Sequence, residues 1–316
     1  MEVSNIYNLK MLNNNTMADR IAEIVHIIPL GHEIDRAIRP FDTALANRVY
    51  LIVDTGEGSS NGMSQRDKDM NREQEDCYTP NVIEALKRKN IEVRVVRTRT
   101  FDLETLLRAI TSVTRLELMK DNEVWVNMSS SGRLGAVAAF LAGMAYQVKT
   151  YYVHSDHFSR DDERPVHGLS FCTENKVTLL PEFFFSRPDE QETLVLSRFY
   201  EEKLKGDTMP ELTPKEMMNY LVEKEAEGFR WTMNNSATNS AEKEDTKEIF
   251  RKSESRMLMR LANLLRRMEC RGYIEQTNIG RKKMYRITSL GEHALSLCGM
   301  DAEMYAKQFD RVKECV

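Results

Sequence analysis

Between Val126 and Ala145 the chain reads VNMSSSGRLGAVAAFLAGMA: an apolar run, a polar turn, then a helical stretch. Asn127, Ser129, Ser130 and Ser131 offer amide and hydroxyl groups, Gly132 lets a guest approach the backbone, and Arg133 brings a fixed positive charge to a helix start. Unpaired backbone N–H groups and the helix dipole favour an anion at such a place, so the turn has the chemistry of a phosphate site. The same serines would also serve as an ordinary helix N-cap. Small residues at Gly135, Ala136, Ala138, Ala139, Ala142 and Gly143 would let the helix pack closely on a sheet.

A second polar turn, Pro29, Leu30 and Gly31 followed by His32, Glu33, Asp35 and Arg36, is expected to open onto the same edge, with Asp54 and Thr55 as weaker candidates. Neither turn is GxGxxG or GxxxxGK[ST], which argues against an ordinary dinucleotide site and against P-loop hydrolysis. Met128 to Gly132 half-matches a nucleophile elbow, but the first glycine is missing and no ordered acid and histidine follow, which disfavours a serine hydrolase. His154, Asp156, His157, Asp161 and Asp162 crowd one stretch without a recognised ligand spacing; a hydrated loop explains them and no metal is expected.

The other chemistry is cationic. From Ile249 to Thr288 there are eleven Lys or Arg against three Glu, a local balance of +8 inside a chain of net charge −4. At about 100° per residue, Arg256, Arg260, Asn263, Arg267 and Arg271 fall on one helix face, and Leu258, Leu261, Leu265 and Met268 on the other. Gly272 ends that helix. YIEQT and MYRIT then form a hairpin whose tip carries Arg281, Lys282 and Lys283, and SLGEHALSL restarts a helix. That order is a winged helix-turn-helix, with Arg256, Arg260 and Asn263 placed to read bases, Arg267 a further DNA-binding residue, and the wing placed to meet phosphate or minor groove. A protein-docking module is the competing reading, disfavoured because helix and wing are both basic.

The elements that must position these groups follow from the pattern. The runs IAEIVHIIPL, RVYLIVDT, IEVRVVRT, EVWVNMSS and KTYYVHSD alternate with helical spacing, which predicts an α/β, doubly wound, mainly parallel sheet with ligands bound beyond the carboxyl ends of its strands. Gly56 to Tyr78 is polar and is expected to be a loop outside the core. LSFCTENKVTLLPEF predicts a hairpin on the sheet edge, Pro188 to Lys205 a connecting helix, Thr213 to Glu227 a helix with a Thr213/Glu216 capping box, and Trp231 to Lys247 a long loop. The expected division is an extension at 1–20, a sensing domain at 21–186, a linker helix at 187–211, an α+β winged helix-turn-helix at 212–300 and a tail at 301–316. Five scattered cysteines, no apolar signal core in residues 1–20 and no membrane-length apolar run predict a soluble, cytoplasmic chain.

IIPLGHEIDRAI, VNMSSSGRLGAVAAFLAGMA and YYVHSD together resemble archaeal proteins in which a CRISPR-associated Rossmann-fold (CARF) domain is fused to a winged helix. The resemblance implies a homodimer with a cyclic oligoadenylate, cyclic tetra-adenylate first among them, lying across its two-fold axis. It also implies a ligand pocket built from Leu30, Gly31, His32 and Glu33 and from Asn127, Ser129, Ser130, Ser131, Gly132 and Arg133. The departure is an arginine after the glycine where many members carry lysine, together with an extra serine. The function implied is a CRISPR-linked transcriptional regulator in which the effector, favouring one of two dimer arrangements, alters the spacing of DNA-reading helices. Some relatives of this fold cleave their ligand, with the ribose 2′-hydroxyl attacking and Arg133 or a serine steadying the charge; a metal-independent ring nuclease is therefore the alternative.

Overall fold

The structure is a computed structural model that describes residues 21–55, 72–181, 187–230, 240–279 and 282–313. It divides into two compact units, one comprising Met1–Ser186 with Gly299–Val316 and the other Arg187–Cys298. The helix expected as a linker thus falls within the second unit, and the residues expected as a tail fall within the first.

In the first unit the chain runs β1 (Ile24–Pro29), α1 (Asp35–Ile38), β2 (Arg48–Asp54), α2 (Thr79–Arg88), β3 (Glu92–Thr98), α3 (Leu103–Leu118), β4 (Glu123–Asn127), α4 (Arg133–Tyr146), β5 (Lys149–Val153), β6 (His157–Phe158), α5 (Arg164–His167), β7 (Ser170–Phe171) and β8 (Val177–Leu179). The six-stranded sheet has the order β3-β2-β1-β4-β5-β8, parallel throughout except for β8, which runs antiparallel to β5. This is an α/β, Rossmann-like fold.

Two-residue alternation on the strands separates its faces. Ile28, Val49, Leu51 and Val53 join Ala37, Phe41, Tyr78, Val82 and Leu86 in a core beneath α1 and α2. Tyr50, between two of those residues, points the other way, where its hydroxyl donates to Glu117 of α3 (2.6 Å). On that second face, α4 comes so close to the sheet that a β-carbon at Gly143 would lie 1.8 Å from Thr150 Oγ1.

Two expectations need correction in this unit. Residues 56–71 lie outside the described residues, but Gln74–Tyr78 is helical and Tyr78 is a core residue, 1% exposed. One aromatic ring is enough to anchor the end of a polar stretch. Nor does LSFCTENKVTLLPEF form one edge hairpin: β8 extends the sheet, whereas β7 pairs with β6 in a separate two-stranded ribbon.

The second unit contains α6 (Glu190–Leu204), β9 (Glu211–Leu212), α7 (Pro214–Glu223), α8 (Ser240–Cys270), β10 (Ile274–Ile279), β11 (Lys282–Ile287) and α9 (Ser289–Ser296). β10 and β11 form the antiparallel hairpin, and β9 pairs with β11. Capping boxes start α6 (Asp189 with Glu192) and α7 (Thr213 with Glu216), each satisfying two helix-end donors. The expected loop to Lys247 is shorter than read, because α8 already begins at Ser240. Ala, Glu and Lys are strong helix formers, so a polar segment joined to a packed helix extends it without any apolar period. On α8 the buried side chains are Met257, Leu261, Leu264, Leu265 and Met268, whereas Leu258 is 45% exposed. Returning to the first unit, α10 (Ala302–Lys313) packs against α3, with Arg108 of α3 and Asp301 paired at 2.8 Å.

Candidate functional site

β1 is followed by β2 and β3 on one side of the sheet, and the chain then crosses to β4 and β5 on the other. The strands where that order reverses are β1 and β4, the place where the loops diverge and leave a crevice. Both polar turns read from the sequence occupy it. They are joined backbone to backbone, with Gly31 N–H donating to Ser130 C=O (2.8 Å).

The serine turn is held from below by Asn127, which is fully buried at the end of β4. Its Oδ1 accepts from Ser129 N–H (2.7 Å) and from Ser129 Oγ (2.7 Å), and its Nδ2 donates to Arg36 C=O (3.0 Å). Ser129 Oγ accepts in turn from Val153 N–H (3.0 Å) of β5. Asn127 and Ser129 are therefore committed to shaping the turn. Leu30 is likewise a core side chain, 2% exposed.

The outer part of the turn is different. No serine caps α4; Gly132 holds that position, and no side chain accepts from the first-turn N–H groups among the described residues. A β-carbon at Gly132 would meet nothing within 4 Å, and Arg133 beside it is exposed without an ion-pair partner among the described residues. The helix start thus presents backbone donors, its positive dipole end and a guanidinium together.

On the β1 side, His32 is half-buried with its ring edge-on to Tyr78 (5.2 Å). Glu33 is buried; burial pushes its carboxyl above the ordinary range against the pull of Arg36 and the hydrogen bond from Ser170 Oγ (2.8 Å). Three buried polar atoms around the two turns have no hydrogen-bond partner: Glu33 Oε2, Arg36 Nε and Ser130 Oγ.

Arg36, read in the sequence as part of the first polar turn but not among the expected pocket residues, and the 164–172 segment flank the two turns. Arg36 donates to Ser129 C=O (3.3 Å) and to Ser155 Oγ (2.8 Å), and lies 3.7 Å from Glu33, tying the two turns and the end of β5 together. The 164–172 segment straps the first turn through a Glu33–Gly168 bridge and a pair between His167 and buried Asp35 (3.0 Å), with Asp35 also accepting from Cys172 N–H. Only glycine fits at 168, where φ is +79° and a β-carbon would lie 2.5 Å from Ile34 N. Burial, with Asp35 nearby, pushes the Cys172 thiol up to about 12, so it is an inert packing group.

The weaker candidates serve local structure. Asp54 caps the Thr100 turn through Oδ1 (3.0 Å), His154 bonds Thr178 and Asp156 bonds Thr173. Among the described residues no group of three or more His, Cys, Asp or Glu side chains converges as a metal site would, and no helix is long and apolar enough to cross a membrane.

In the second unit Arg256, Arg260, Asn263, Arg266 and Arg267 of α8 are all exposed, as are Lys282 and Lys283 of β11, the latter 5.2 Å over the Tyr285 ring. Arg281 lies outside the described residues. Arg267 and Arg271 are engaged: Arg267 Nε and Arg271 Nη1 donate to the two oxygens of fully buried Glu192 (2.9 and 2.8 Å), and Arg267 also pairs with Asp189.

Fold and site together define the first unit as a Rossmann-like α/β domain with a polar loop pair at its switch point. A family model described as HFX_2341_N:-like, N-terminal, matches residues 24–158, which includes both turns. No curated protein matches the chain. Among solved structures the chain is similar to Enterococcus italicus Csm6 bound to cyclic hexa-2'-fluoro-hexa-dAMP, at 11% identity over 74% of this chain and 54% of that one, with TM-score 0.35. It is also similar to Can2 from Sulfobacillus thermosulfidooxidans in complex with cyclic tetra-adenylate (12% identity, 92% and 68% covered, TM-score 0.33). A third is protein VC1899 from Vibrio cholerae (12% identity, 84% and 77% covered, TM-score 0.34). The chain spans about half the length of the Csm6 chain.

Proposed function

We propose that the first unit is a CARF-type sensor of a cyclic oligoadenylate, cyclic tetra-adenylate first among them. In this reading the second unit is a winged helix-turn-helix that binds double-stranded DNA, and the homodimeric chain is a transcriptional regulator in CRISPR-linked defence. The observation that carries the sensor is the switch-point pair of turns: an uncapped helix start with exposed Arg133, facing a β1 turn whose buried Glu33, together with Arg36 and Ser130, holds unsatisfied polar atoms. Phosphates of the effector would take the α4 N-terminus and Arg133; base or ribose groups would satisfy the orphaned atoms. The order α6, β9, α7, α8, β10, β11, with β9 paired on β11, supports the winged-helix reading of the second unit.

The experiment is thermal unfolding of the full chain with cyclic oligoadenylates of different ring size. A ligand that selects the folded form raises the midpoint with a dependence on RT ln(1 + [L]/Kd), and Arg133→Ala weakens that response while leaving the ligand-free midpoint in place. No shift with any ring removes the sensor reading. Chromatography of labelled cyclic tetra-adenylate after incubation decides the ring-nuclease alternative: a sensor returns the ring intact.

A further inference from the structure

The cationic face of α8 is two faces with different work. The buried stripe Met257, Leu261, Leu264, Leu265 and Met268 sets the inward direction. Opposite it, at helical spacing, run Arg256, Met259, Asn263 and Arg266, all exposed, with Met259 at 70%. No carboxylate lies on that stripe, and neither arginine has an ion-pair partner among the described residues. Arg260, Arg267 and Arg271 form a separate stripe on the flank. There Arg267 and Arg271 grip Glu192, the buried acid of the α6 capping box, and Arg260 lies so close over Gly228 that a β-carbon there would fall 1.6 Å from its Nη1. A guanidinium that neutralises a buried carboxylate is not free to meet phosphate without leaving that charge unpaired.

We infer that the outward stripe Arg256–Met259–Asn263–Arg266 is the surface that contacts duplex DNA, with Arg266 as a contact residue, and that Arg267 and Arg271 are structural. This rests on the DNA-binding reading of the second unit. Duplex DNA is the occupant that the chemistry fits: two exposed cations suit phosphate, an amide suits adenine, and an exposed thioether suits the thymine methyl.

The test is fluorescence anisotropy of the full chain on labelled mixed-sequence duplex DNA over a series of salt concentrations, beside thermal melting. Replacing Arg256 and Arg266 by Ala together is expected to reduce the slope of log K against log salt by about 2 for each protomer on the DNA, at about 0.9 for each phosphate no longer neutralised, with the melting midpoint kept. Arg267→Gln is expected to lower the midpoint and leave the slope of the folded protein at the parent value. Arg271→Gln, which leaves Arg267 on Glu192, is the milder second variant. A parent slope retained in R256A/R266A overturns the inference alone, as does a reduced slope in R267Q or R271Q with an unchanged midpoint. Absence of salt-dependent binding by the parent overturns the DNA-binding reading and this inference with it.

Discussion

The polar lock beneath the serine turn allows a quantitative test through Asn127 and Ser129. Asn127→Ala deletes three hydrogen bonds, two buried ones with Ser129 N–H and Ser129 Oγ and a part-buried one to Arg36 C=O. At about 1 kcal/mol each this is a loss of roughly 3 kcal/mol, before any penalty for donors left dry. Ser129→Ala deletes two, the bond to Asn127 and the one accepted from Val153 N–H, or about 2 kcal/mol. One bond is common to both sets. The double variant should therefore cost about 1 kcal/mol less than the sum of the singles, within the range found for residues in one network. Trp125 lies on β4, two residues before Asn127, so urea unfolding followed by its fluorescence in a Trp231→Phe background reads the relevant unit. Single effects under about 0.5 kcal/mol, or additivity within about 0.3 kcal/mol, would refute the claim that this network holds the turn.

Three further outcomes follow from two buried groups and one helix cap. Glu33 has its pKa raised by burial, so its contribution is fully present below the ordinary carboxylate range and is lost as pH rises through the folded value; Glu33→Gln should gain stability relative to the parent as pH rises from 4 to 7, checked by urea midpoints at each pH. His26 is buried beside Tyr151, Phe41 and Trp125, and burial lowers its pKa from 6.5 to about 4, so the parent loses up to about 3 kcal/mol as pH falls from 6.5 to 4. His26→Phe should flatten that part of the stability profile, and an unchanged slope would contradict it. Thr213→Ala removes the α7 capping box at a cost of about 1 kcal/mol, read as a lower melting midpoint for the second unit with no change in the Trp125 transition.

Strand by strand, the parallel sheet was legible because Val- and Ile-rich runs alternating with helical spacing have few ways to bury both faces. The cap at Thr213 was equally local, since a cap is a relation among four consecutive residues. Position in three dimensions was not. Whether β8 or β7 would join the sheet edge, and that Tyr78 would close a core at the end of a polar stretch, depended on which distant surfaces were left uncovered.

What the amino-acid order determined alone was the five parallel strands, the helices of strong apolar period and the two polar turns, because periodicity and turn chemistry act over a few residues. The tertiary structure decided which of those polar groups remain available. Asn127 and Ser129 are spent on the turn and Leu30 on the core, while Arg133 stays exposed at the start of α4 and Glu33, Ser130 and Arg36 keep buried polar atoms without a hydrogen-bond partner. On α8, where four arginines share one sequence period, Glu192 lies dozens of residues away and claims Arg267 and Arg271. A side chain's type states what it can bond; only the fold settles which partner reaches it first.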